Sequence, residues 1–340
     1  MTDGELGWGP AVLMDRSPSG HVRCGLCPYR CDLSEGRAGS CHVRRNSGGV
    51  GQTSTRNITV KHLDGVERKP FYHFRPGAKV LTIASPGCNF RCTYCINHRL
   101  SQYGRDDEVS WRGRPADIDA LVDEAASEQG VLCLSYSEPG LAPELTLELA
   151  ERARPRGVPL LWKTNGFLTP QAVGFVAPSL DGVNIDLKAA DDSTHRQLTG
   201  APLAPVLAAI RSFHEAGVWV EVSTPVAPGV DDLASLRTIA RHLAGIGQIP
   251  WHLIRFSPAY RLTGAPPTSV EALARAVEIG HAEGLHYVYV ERALGDEGRG
   301  TRCPECATTV IDRDVWSVRR VGLRDGRCPH CSSLVPGRWN

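Results

Sequence analysis

Three cysteines, Cys88, Cys92 and Cys95, stand close together with three and then two residues between them. Cysteine thiolates hold iron–sulfur clusters, usually four to a cluster. The sequence places no fourth cysteine or histidine at an obvious local ligand distance, so a cluster here would keep one iron with an open coordination position. An open position is what a catalytic metal needs. The alternative is a zinc site completed by a distant ligand such as His98 or His73.

Eight other cysteines form two outer groups with metal-ligand spacing. The C-terminal group has the two-knuckle spacing of a rubredoxin-like ribbon, and four thiolates can close a tetrahedral zinc site. Zinc there would help to fold a tail that is too short for its own core. In the less regular N-terminal group structural zinc is favoured, with an auxiliary iron–sulfur cluster as the alternative. The groups are Cys303, Cys306, Cys328 and Cys331, and Cys24, Cys27, Cys31 and Cys41.

Two predicted strands carry polar side chains at alternate positions. In a barrel, alternate residues of a strand face the interior and the outer helices. The apolar residues suit the helices, so five polar residues are predicted to face inwards: Asn184, Asp186, Lys188, Glu221 and Ser223. Burying such groups is costly unless they pair or meet a polar ligand. They predict a polar binding cavity, and internal salt bridges, such as Asp186 with Lys188 or Arg255, are the alternative.

A series of βα units is predicted to position these residues. From Lys79 onward, short β-branched or Leu-rich runs alternate with segments of helical spacing, which is typical of a parallel sheet in an α/β protein. Six or more units predict a partial or complete parallel βα barrel, and a doubly wound open sheet is the alternative. The loop after the first strand would lie at the barrel mouth where active sites form. The predicted strands are 80–84, 131–136, 160–164, 182–187, 218–224, 251–256 and 286–290, and the predicted helices are 117–128, 143–153, 203–216, 233–245 and 270–283.

Three parts follow from this pattern: a cysteine-rich N-terminal extension (1–78), the barrel (79–299) and a C-terminal four-cysteine ribbon (300–340). The chain has 340 residues, 41% hydrophobic and 22% charged, which excludes a disordered or fibrous protein. A net charge of +1 provides no global field for nucleic acid or an anionic membrane. With no signal-peptide pattern and no apolar run near the roughly 18 residues of a membrane span, we expect a cytoplasmic protein.

The cysteine trio, with Tyr94 just before its third member, resembles the radical S-adenosylmethionine (SAM) superfamily. There, the open iron of a [4Fe-4S] cluster chelates SAM. One electron then splits SAM into methionine and a 5'-deoxyadenosyl radical, which abstracts hydrogen from substrate. Residues 135–139 are similar to the Gly-Gly-Glu-Pro-type motif of that superfamily without its first two glycines. The Thr-Asn-Gly segment after Lys163 resembles the activating-enzyme branch, in which the position of Lys163 is usually acidic.

A longer set of motifs resembles the AmmeMemoRadiSam group, an uncharacterised relative of the pyruvate formate-lyase activating enzymes. They occur in the same order over nearly the whole chain: the first four cysteines, 69–77, the cluster loop with 101–102, 184–188, 251–258 and 325–329. Ser137 and residues 291–299 depart from the group's pattern. Both lie near the predicted mouth, so the substrate is expected to differ.

The resemblance, together with the strand alternation, implies roles for individual residues. Cys88, Cys92 and Cys95 would hold the cluster, and the other residues would contact parts of SAM. These contacts are Ser137 and Glu138 for the methionyl amine, Asp186, Glu221 and Ser223 for the ribose or amine, Lys188 or Arg255 for the carboxylate, and Tyr94 and Asn165 for the adenine.

Together these features predict a radical SAM enzyme that receives electrons from a reductant such as flavodoxin or ferredoxin. A small-molecule substrate (a sugar, nucleoside or other metabolite) is favoured because Lys163 departs from the activating enzymes. The first alternative is an activating enzyme that installs a glycyl radical on a partner protein. The second is a non-catalytic scaffold in which all three cysteine groups bind zinc. We expect neither a nucleic-acid nor a membrane partner.

Overall fold

The structure, a computed structural model, describes residues 7–105, 113–228, 233–315 and 317–340. Its strands are β1 (Gly9–Pro10), β2 (Met14–Arg16), β3 (Val22–Cys24), β4 (Asp32–Leu33), β5 (Arg44–Ser47), β6 (Val50–Thr53), β7 (Asn57–Ile58), β8 (Val60–Gly65), β9 (Lys79–Ala84), β10 (Arg114–Pro115), β11 (Val131–Leu134), β12 (Leu160–Thr164), β13 (Gly182–Asp186), β14 (Trp219–Val226), β15 (Trp251–Arg255), β16 (Val288–Tyr289), β17 (Thr301–Arg302), β18 (Thr309–Arg313) and β19 (Val318–Val321). Its helices are α1 (His98–Ser101), α2 (Ile118–Ser127), α3 (Pro143–Ala153), α4 (Pro170–Val176), α5 (Asp192–Thr199), α6 (Ala204–Glu215), α7 (Leu233–Ala244), α8 (Val270–Ala282) and α9 (Gly295–Arg299).

An eight-stranded sheet in the order β16-β15-β14-β13-β12-β11-β9-β8 organises the protein. All neighbouring pairs are parallel except β8 and β9, which are antiparallel. The parallel strands follow chain order without the reversal that defines a doubly wound sheet. The α/β fold with a parallel sheet is therefore confirmed. In the described residues the sheet keeps two free ends, so the barrel is partial.

The helices between these strands form where the sequence offers an apolar face and a cap. Asp117 caps α2 by accepting a hydrogen bond from the Ala120 backbone, and Ser269 caps α8 in the same way. The large buried side chains Trp162 and Trp251 fill the core. The ranges predicted for β12 and α3 match the structure, whereas α4 and α5 lie outside the predicted helices.

The N-terminal region contains more regular structure than its composition suggests. Two small antiparallel sheets, β2-β3-β4 and β1-β6-β5, surround the first cysteine group. Strand β8 follows them and pairs along its whole length with β9. The central sheet therefore begins before residue 79, inside the predicted N-terminal extension.

The C-terminal ribbon β17-β18-β19 packs against the chain just before β9. The backbone amide of Arg338 donates to the His73 carbonyl at 2.8 Å, and the Arg75 amide donates to the Arg338 carbonyl at 2.7 Å. The tail is thus fastened to the segment that precedes the first parallel strand. In the described residues, no helix has both the length and the apolar character required to cross a lipid bilayer.

Candidate active site

The cysteine trio lies in the loop that follows β9, at the carboxyl end of the parallel strands. Gly87 enters this loop with a φ of +88°, and a Cβ there would lie 2.8 Å from Val43 Cγ1 and 3.0 Å from the Cys41 carbonyl oxygen. Only glycine combines this backbone conformation with so close an approach. The Gly87 amide donates to the Leu100 carbonyl at 3.2 Å, which ties the start of the loop to α1.

Polar groups surround two of the three thiols. The Asn165 side-chain nitrogen lies 3.5 Å from Cys88 Sγ, and the Phe90 backbone amide donates to the same sulfur at 3.3 Å. Ser101 Oγ lies 3.1 Å from Cys95 Sγ. Hydrogen bonds to the ligating sulfurs help to set the reduction potential of an iron–sulfur cluster. The structure therefore places Asn165, which was predicted to contact adenine, against Cys88. It also places Ser101, to which the sequence alone assigned no role, against Cys95.

Burial keeps two of the loop thiols in their protonated form. Burial raises the pKa of the Cys92 thiol to about 12, although nearby Lys188 lowers it. Burial also raises the pKa of the Cys88 thiol. A metal or cluster that bound these thiols would therefore have to displace their protons.

The alternative zinc ligands do not complete a compact site. His73 Nε2 lies 2.6 Å from the Tyr289 hydroxyl, and His73 Nδ1 lies 2.6 Å from the Pro336 carbonyl oxygen. The His98 side chain lies 3.2 Å from the Cys95 backbone carbonyl oxygen and stacks on Tyr260. Among the described residues, neither histidine joins the thiols in a group of three ligand atoms within 4.8 Å of one another.

A charged network lies at the same mouth. Asp186 at the end of β13 accepts a hydrogen bond from Lys188 Nζ at 3.0 Å and another from Lys163. Burial would raise the pKa of the Asp186 carboxyl, but the two lysines lower it to about 2. The Lys188 ammonium also lies 5.8 Å from the centre of the Tyr94 ring, which places it beside the cysteine loop. Asp186 therefore carries its negative charge throughout the physiological pH range.

Lys163 was not predicted to face the cavity. It lies beside Asn184 in the parallel register, and its ammonium donates to Asn184 Oδ1 at 2.7 Å. Ser223 Oγ donates to the same oxygen, also at 2.7 Å. Asn184 and Ser223 are both fully buried beneath the charged network. Strand alternation in β12 was the signal that could have identified Lys163.

Glu138 holds strand ends together. Its carboxylate accepts hydrogen bonds from the Gly140 amide at 2.7 Å, the Asn165 amide at 2.8 Å and the Thr164 hydroxyl at 2.5 Å. The Glu138 amide itself donates to the Gly87 carbonyl at 3.1 Å. This residue thus links the cysteine loop to the end of β12 and positions Asn165 near Cys88.

Ser137 and Arg255 lie on different sides of the mouth. Ser137 is half-buried, and its hydroxyl donates to the Ser85 carbonyl in the cysteine loop. Arg255 is exposed at the end of β15, and its Nε donates to the Thr268 carbonyl at 2.9 Å. Lys188 is therefore the better placed of the two cations that were predicted to meet a carboxylate.

The position of Glu221 does not fit the predicted contact with SAM. Its carboxylate accepts hydrogen bonds from the backbone amides of Tyr72 and His73 and from the Trp219 indole at 3.0, 2.9 and 3.0 Å. His252 Nε2 lies 2.6 Å away, and the Glu221 side chain is fully buried. The Glu221 carboxylate thereby fastens the backbone at Tyr72 and His73 to the sheet. Strand alternation predicted correctly that Glu221 faces inwards, but not that it lies away from the mouth.

The C-terminal cysteines form a compact metal-ligand group. Cys303 and Cys331 have sulfurs 3.4 Å apart, and those of Cys306 and Cys328 are 3.6 Å apart. A tetrahedral zinc with Zn–S bonds of about 2.3 Å requires sulfurs about 3.8 Å apart. Hydrogen bonds from Ser333 lower the pKa of the Cys331 thiol to about 6, which favours the thiolate form that binds metal.

The family model of the radical SAM superfamily matches residues 82–241. The uncharacterized protein MJ0808 of Methanocaldococcus jannaschii is 32% identical over 332 residues, which cover 96% of this chain and 98% of that protein. The benzylsuccinate synthase activating enzyme of Thauera aromatica is 27% identical over 200 residues, covering 51% of this chain and 60% of that protein.

A solved structure agrees at the level of the fold. The crystal structure of Streptococcus suis SuiB bound to S-adenosylmethionine is 16% identical, with a TM-score of 0.50, and the match covers 66% of this chain and 52% of that one. The family match, the parallel sheet and the cysteine trio after its first parallel strand agree. The chain therefore belongs to the radical SAM superfamily, as an enzyme related to the activating enzymes of glycyl-radical enzymes.

Proposed function

We propose that Cys88, Cys92 and Cys95 hold a [4Fe-4S] cluster with one iron open to S-adenosylmethionine, and that the enzyme abstracts hydrogen from a small-molecule substrate. The observation that carries this proposal is the sulfur environment of the trio. Asn165, Ser101 and the Phe90 amide all contact its thiols at the mouth of the sheet. When bound, such a cluster supplies the electron that splits SAM into methionine and a hydrogen-abstracting 5'-deoxyadenosyl radical.

In this proposal the chain's own residues bind and orient SAM. Lys188 supplies a positive charge for the methionyl carboxylate, because its ammonium lies beside the Tyr94 ring at the cysteine loop. Asp186 keeps Lys188 in place and presents a carboxylate to the ribose hydroxyls or the amine. The Tyr94 ring, packed edge-on against Phe256, offers an aromatic surface for the adenine.

In this proposal the backbone at Ser137, rather than its hydroxyl group, recognises SAM. Its hydroxyl is already used by the Ser85 carbonyl, and the preceding residue, Tyr136, has a φ of +68°. A bulky residue with positive φ is strained, and such strain tends to be found at functional sites. This conformation supports backbone recognition of the methionyl amine at the position where the superfamily motif has glycine.

The cations of the cavity support the proposal that the substrate is a small molecule. Lys163 and Lys188 outnumber Asp186, and all three have side chains less than one third exposed. With Lys188 directed to the methionyl carboxylate, Lys163 is the cation that would hold an anionic or electron-rich group of a substrate. The second candidate, activation of a glycyl-radical enzyme, is favoured by the names of several relatives, among them the isethionate sulfite-lyase activating enzyme of Nitratidesulfovibrio vulgaris, which is 30% identical over 165 residues.

The outer parts of the chain complete the proposal. The C-terminal four-cysteine group holds structural zinc, which stabilises the tail that is fastened to His73. A flavodoxin or ferredoxin donates the electron in the cytoplasm. The extension 1–78 supplies β8 to the barrel 79–299, and the ribbon 300–340 packs against the segment around His73.

Product analysis under anaerobic conditions tests this function. We expect the reconstituted and reduced enzyme to form 5'-deoxyadenosine from SAM, and Cys92→Ala to form none. The matched control is Cys133→Ala, since Cys133 is a buried strand residue outside all three cysteine groups. Activity retained in Cys92→Ala would refute the cluster assignment. A glycyl-radical EPR signal on a partner protein would favour the second candidate over the first.

A further inference from the structure

The N-terminal cysteines are held in a folded cradle between β3 and β5. The Cys24 amide donates to the Cys31 carbonyl at 2.9 Å, which brings the two ends of the first cysteine turn together. A Cβ on Gly39 would lie 3.4 Å from Cys31 Sγ, so the backbone packs directly against that sulfur. Cys24, Cys27 and Cys41 are buried and Cys31 is half-buried. The four thiols come from β3, its following turn and the segment before β5, and the Cys27 thiol interacts electrostatically with the other three.

The N-terminal thiols are less compactly arranged than those of the C-terminal group. Among the described residues, only the group that begins at Cys303 brings three or more Cys, His, Asp or Glu ligand atoms within 4.8 Å of one another. A single zinc ion requires this compactness, because all its ligands share one tetrahedron. In a cubane cluster each thiolate binds a different iron, so the sulfurs lie farther apart. Within the described part of the chain, neither the N-terminal thiols nor the trio Cys88, Cys92 and Cys95 form a group as compact as the C-terminal one.

The N-terminal group also lies against the loop of the central trio. Arg105 donates from Nε to the Ser40 carbonyl at 3.0 Å and from Nη2 to the Cys88 carbonyl at 2.7 Å. It therefore joins the residue before Cys41 to the first cysteine of the trio. On the same side, the Cys41 carbonyl oxygen is the atom that a Cβ on Gly87 would approach to 3.0 Å. The two cysteine loops are in direct contact.

A buried cation accompanies the four thiols. Arg44 is 1% exposed and follows Cys41 by three residues on β5. Its Nη1 lies 3.1 Å from Glu144 Oε1, while its Nε makes no hydrogen bond within the described part of the chain. Arg44 and Glu144 thus form a buried ion pair beside the cysteines, and nearby charges and hydrogen bonds help to set the potential of a cluster. Zinc has no redox chemistry and would make no use of the contact with the central loop.

From these observations we propose that Cys24, Cys27, Cys31 and Cys41 hold a second iron–sulfur cluster, which passes electrons to the cluster of the central trio. The relay part of this inference rests on the proposed function, whereas the identity of the metal does not. One electron enters the second cluster from a flavodoxin or ferredoxin. The same electron then reduces the central cluster across the contact between Cys41 and Gly87.

Metal analysis of two variants tests the second cluster. One variant carries Cys88→Ala, Cys92→Ala and Cys95→Ala, and the other carries Cys27→Ala and Cys31→Ala. We expect about eight irons per wild-type chain and about four, with matching sulfide, in each variant. Circular dichroism and Cys133→Ala, which should keep the full iron content, control for misfolding. A folded trio variant that contains about two zinc ions per chain, one more than the C-terminal group binds, and no iron would overturn the second cluster.

Electron transfer tests the relay. Freeze-quench EPR would follow reduction of the central cluster by flavodoxin in the wild type and in the Cys27→Ala, Cys31→Ala variant. We expect this variant to lose the fast reduction by flavodoxin while titanium(III) citrate still reduces its central cluster. Unchanged reduction by flavodoxin would overturn the relay. A failure of the proposed function looks different, since the central trio would then lack iron in a protein whose N-terminal group still holds about four irons.

Discussion

The side-chain nitrogen of Asn165 lies 3.5 Å from the sulfur of Cys88. Asn165 is held in this place from both sides, because its Oδ1 accepts the Phe167 amide at 2.9 Å and its Nδ2 donates to Asn89 Oδ1 at 2.8 Å. The end of β12 is thereby coupled to the cysteine loop after β9. The contact joins the third strand of the parallel series to the loop in which we propose the central cluster.

Replacing Asn165 by Leu should lower the reduction potential of the central cluster. The amide donor stabilises the charge that the cluster gains on reduction, and the leucine removes it. Asn165→Asp should lower the potential further because it adds a negative charge near Cys88. An EPR-monitored redox titration measures both variants. A potential equal to that of the wild type in both variants would show that the amide does not contact the ligating sulfur.

Gly87→Ala should disrupt the cysteine loop. The new Cβ would meet Val43 at 2.8 Å in a backbone conformation with φ of +88°. Strain of this kind costs about 1–3 kcal/mol. Gly174→Ala is the matched control, because no atom lies within 4 Å of the new Cβ and helix α4 should gain about 0.5–1 kcal/mol. Thermal unfolding and iron content measure both, and equal behaviour of the two variants would contradict the packing described for Gly87.

Asp186→Asn should destabilise the protein by about 2 kcal/mol at pH 7. The carboxyl titrates at about pH 2 in the folded protein and near its ordinary value of 3.8 when unfolded. Its contribution is therefore fully present above about pH 4 and is lost as the pH falls through about 2. Denaturant unfolding across this pH window measures the difference between wild type and variant.

Asp123→Asn provides the control for Asp186. Asp123 pairs with Arg156 at 2.9 Å, but its side chain is 63% exposed. Exposed pairs contribute about 0–1 kcal/mol, so little change is expected. A difference between wild type and Asp186→Asn that persists undiminished at pH 2 would argue against the charged network with Lys163 and Lys188.

Removing zinc should loosen the C-terminal tail. A Cys303→Ser, Cys328→Ser variant should lose about one zinc per chain, because two of the four ligands are gone. The tail would then keep its hydrogen bond from the Arg338 amide to the His73 carbonyl but would lose the support of the metal. Metal analysis combined with limited proteolysis of the tail measures the effect. Unchanged zinc content, or iron in place of zinc, would contradict a structural zinc site.

Much of the framework could be predicted because the parallel strands are largely buried and have apolar residues on the face that packs against the helices. The ranges of β12 and α3 were predicted as observed, since turn residues bound both. The pairing of β8 was missed, because Val60–Gly65 is largely exposed and lacks a strong strand pattern. Local composition carries no information on which strand such a segment will join.

The sequence predicted which face of each strand the site residues occupy, but not how far each residue lies from the mouth of the barrel. Alternation placed Asp186 and Glu221 correctly towards the interior. Alternation could not show that the Glu221 carboxylate binds the backbone at Tyr72 and His73 while Asp186 lies at the mouth. The contacts of Glu221 depend on a chain segment that is far away in sequence. The pairing of Asn165 with Cys88 has the same origin, since the two residues meet only after β9 and β12 are aligned through β11.

The most direct test is the EPR spectrum of the reduced central cluster before and after SAM is added. The Cys27→Ala, Cys31→Ala variant is the suitable protein, because the central trio is then the remaining cluster site in our account. We predict that SAM changes the spectrum and that 5'-deoxyadenosine accumulates. A reduced cluster whose spectrum is the same with and without SAM would contradict an open iron held by Cys88, Cys92 and Cys95.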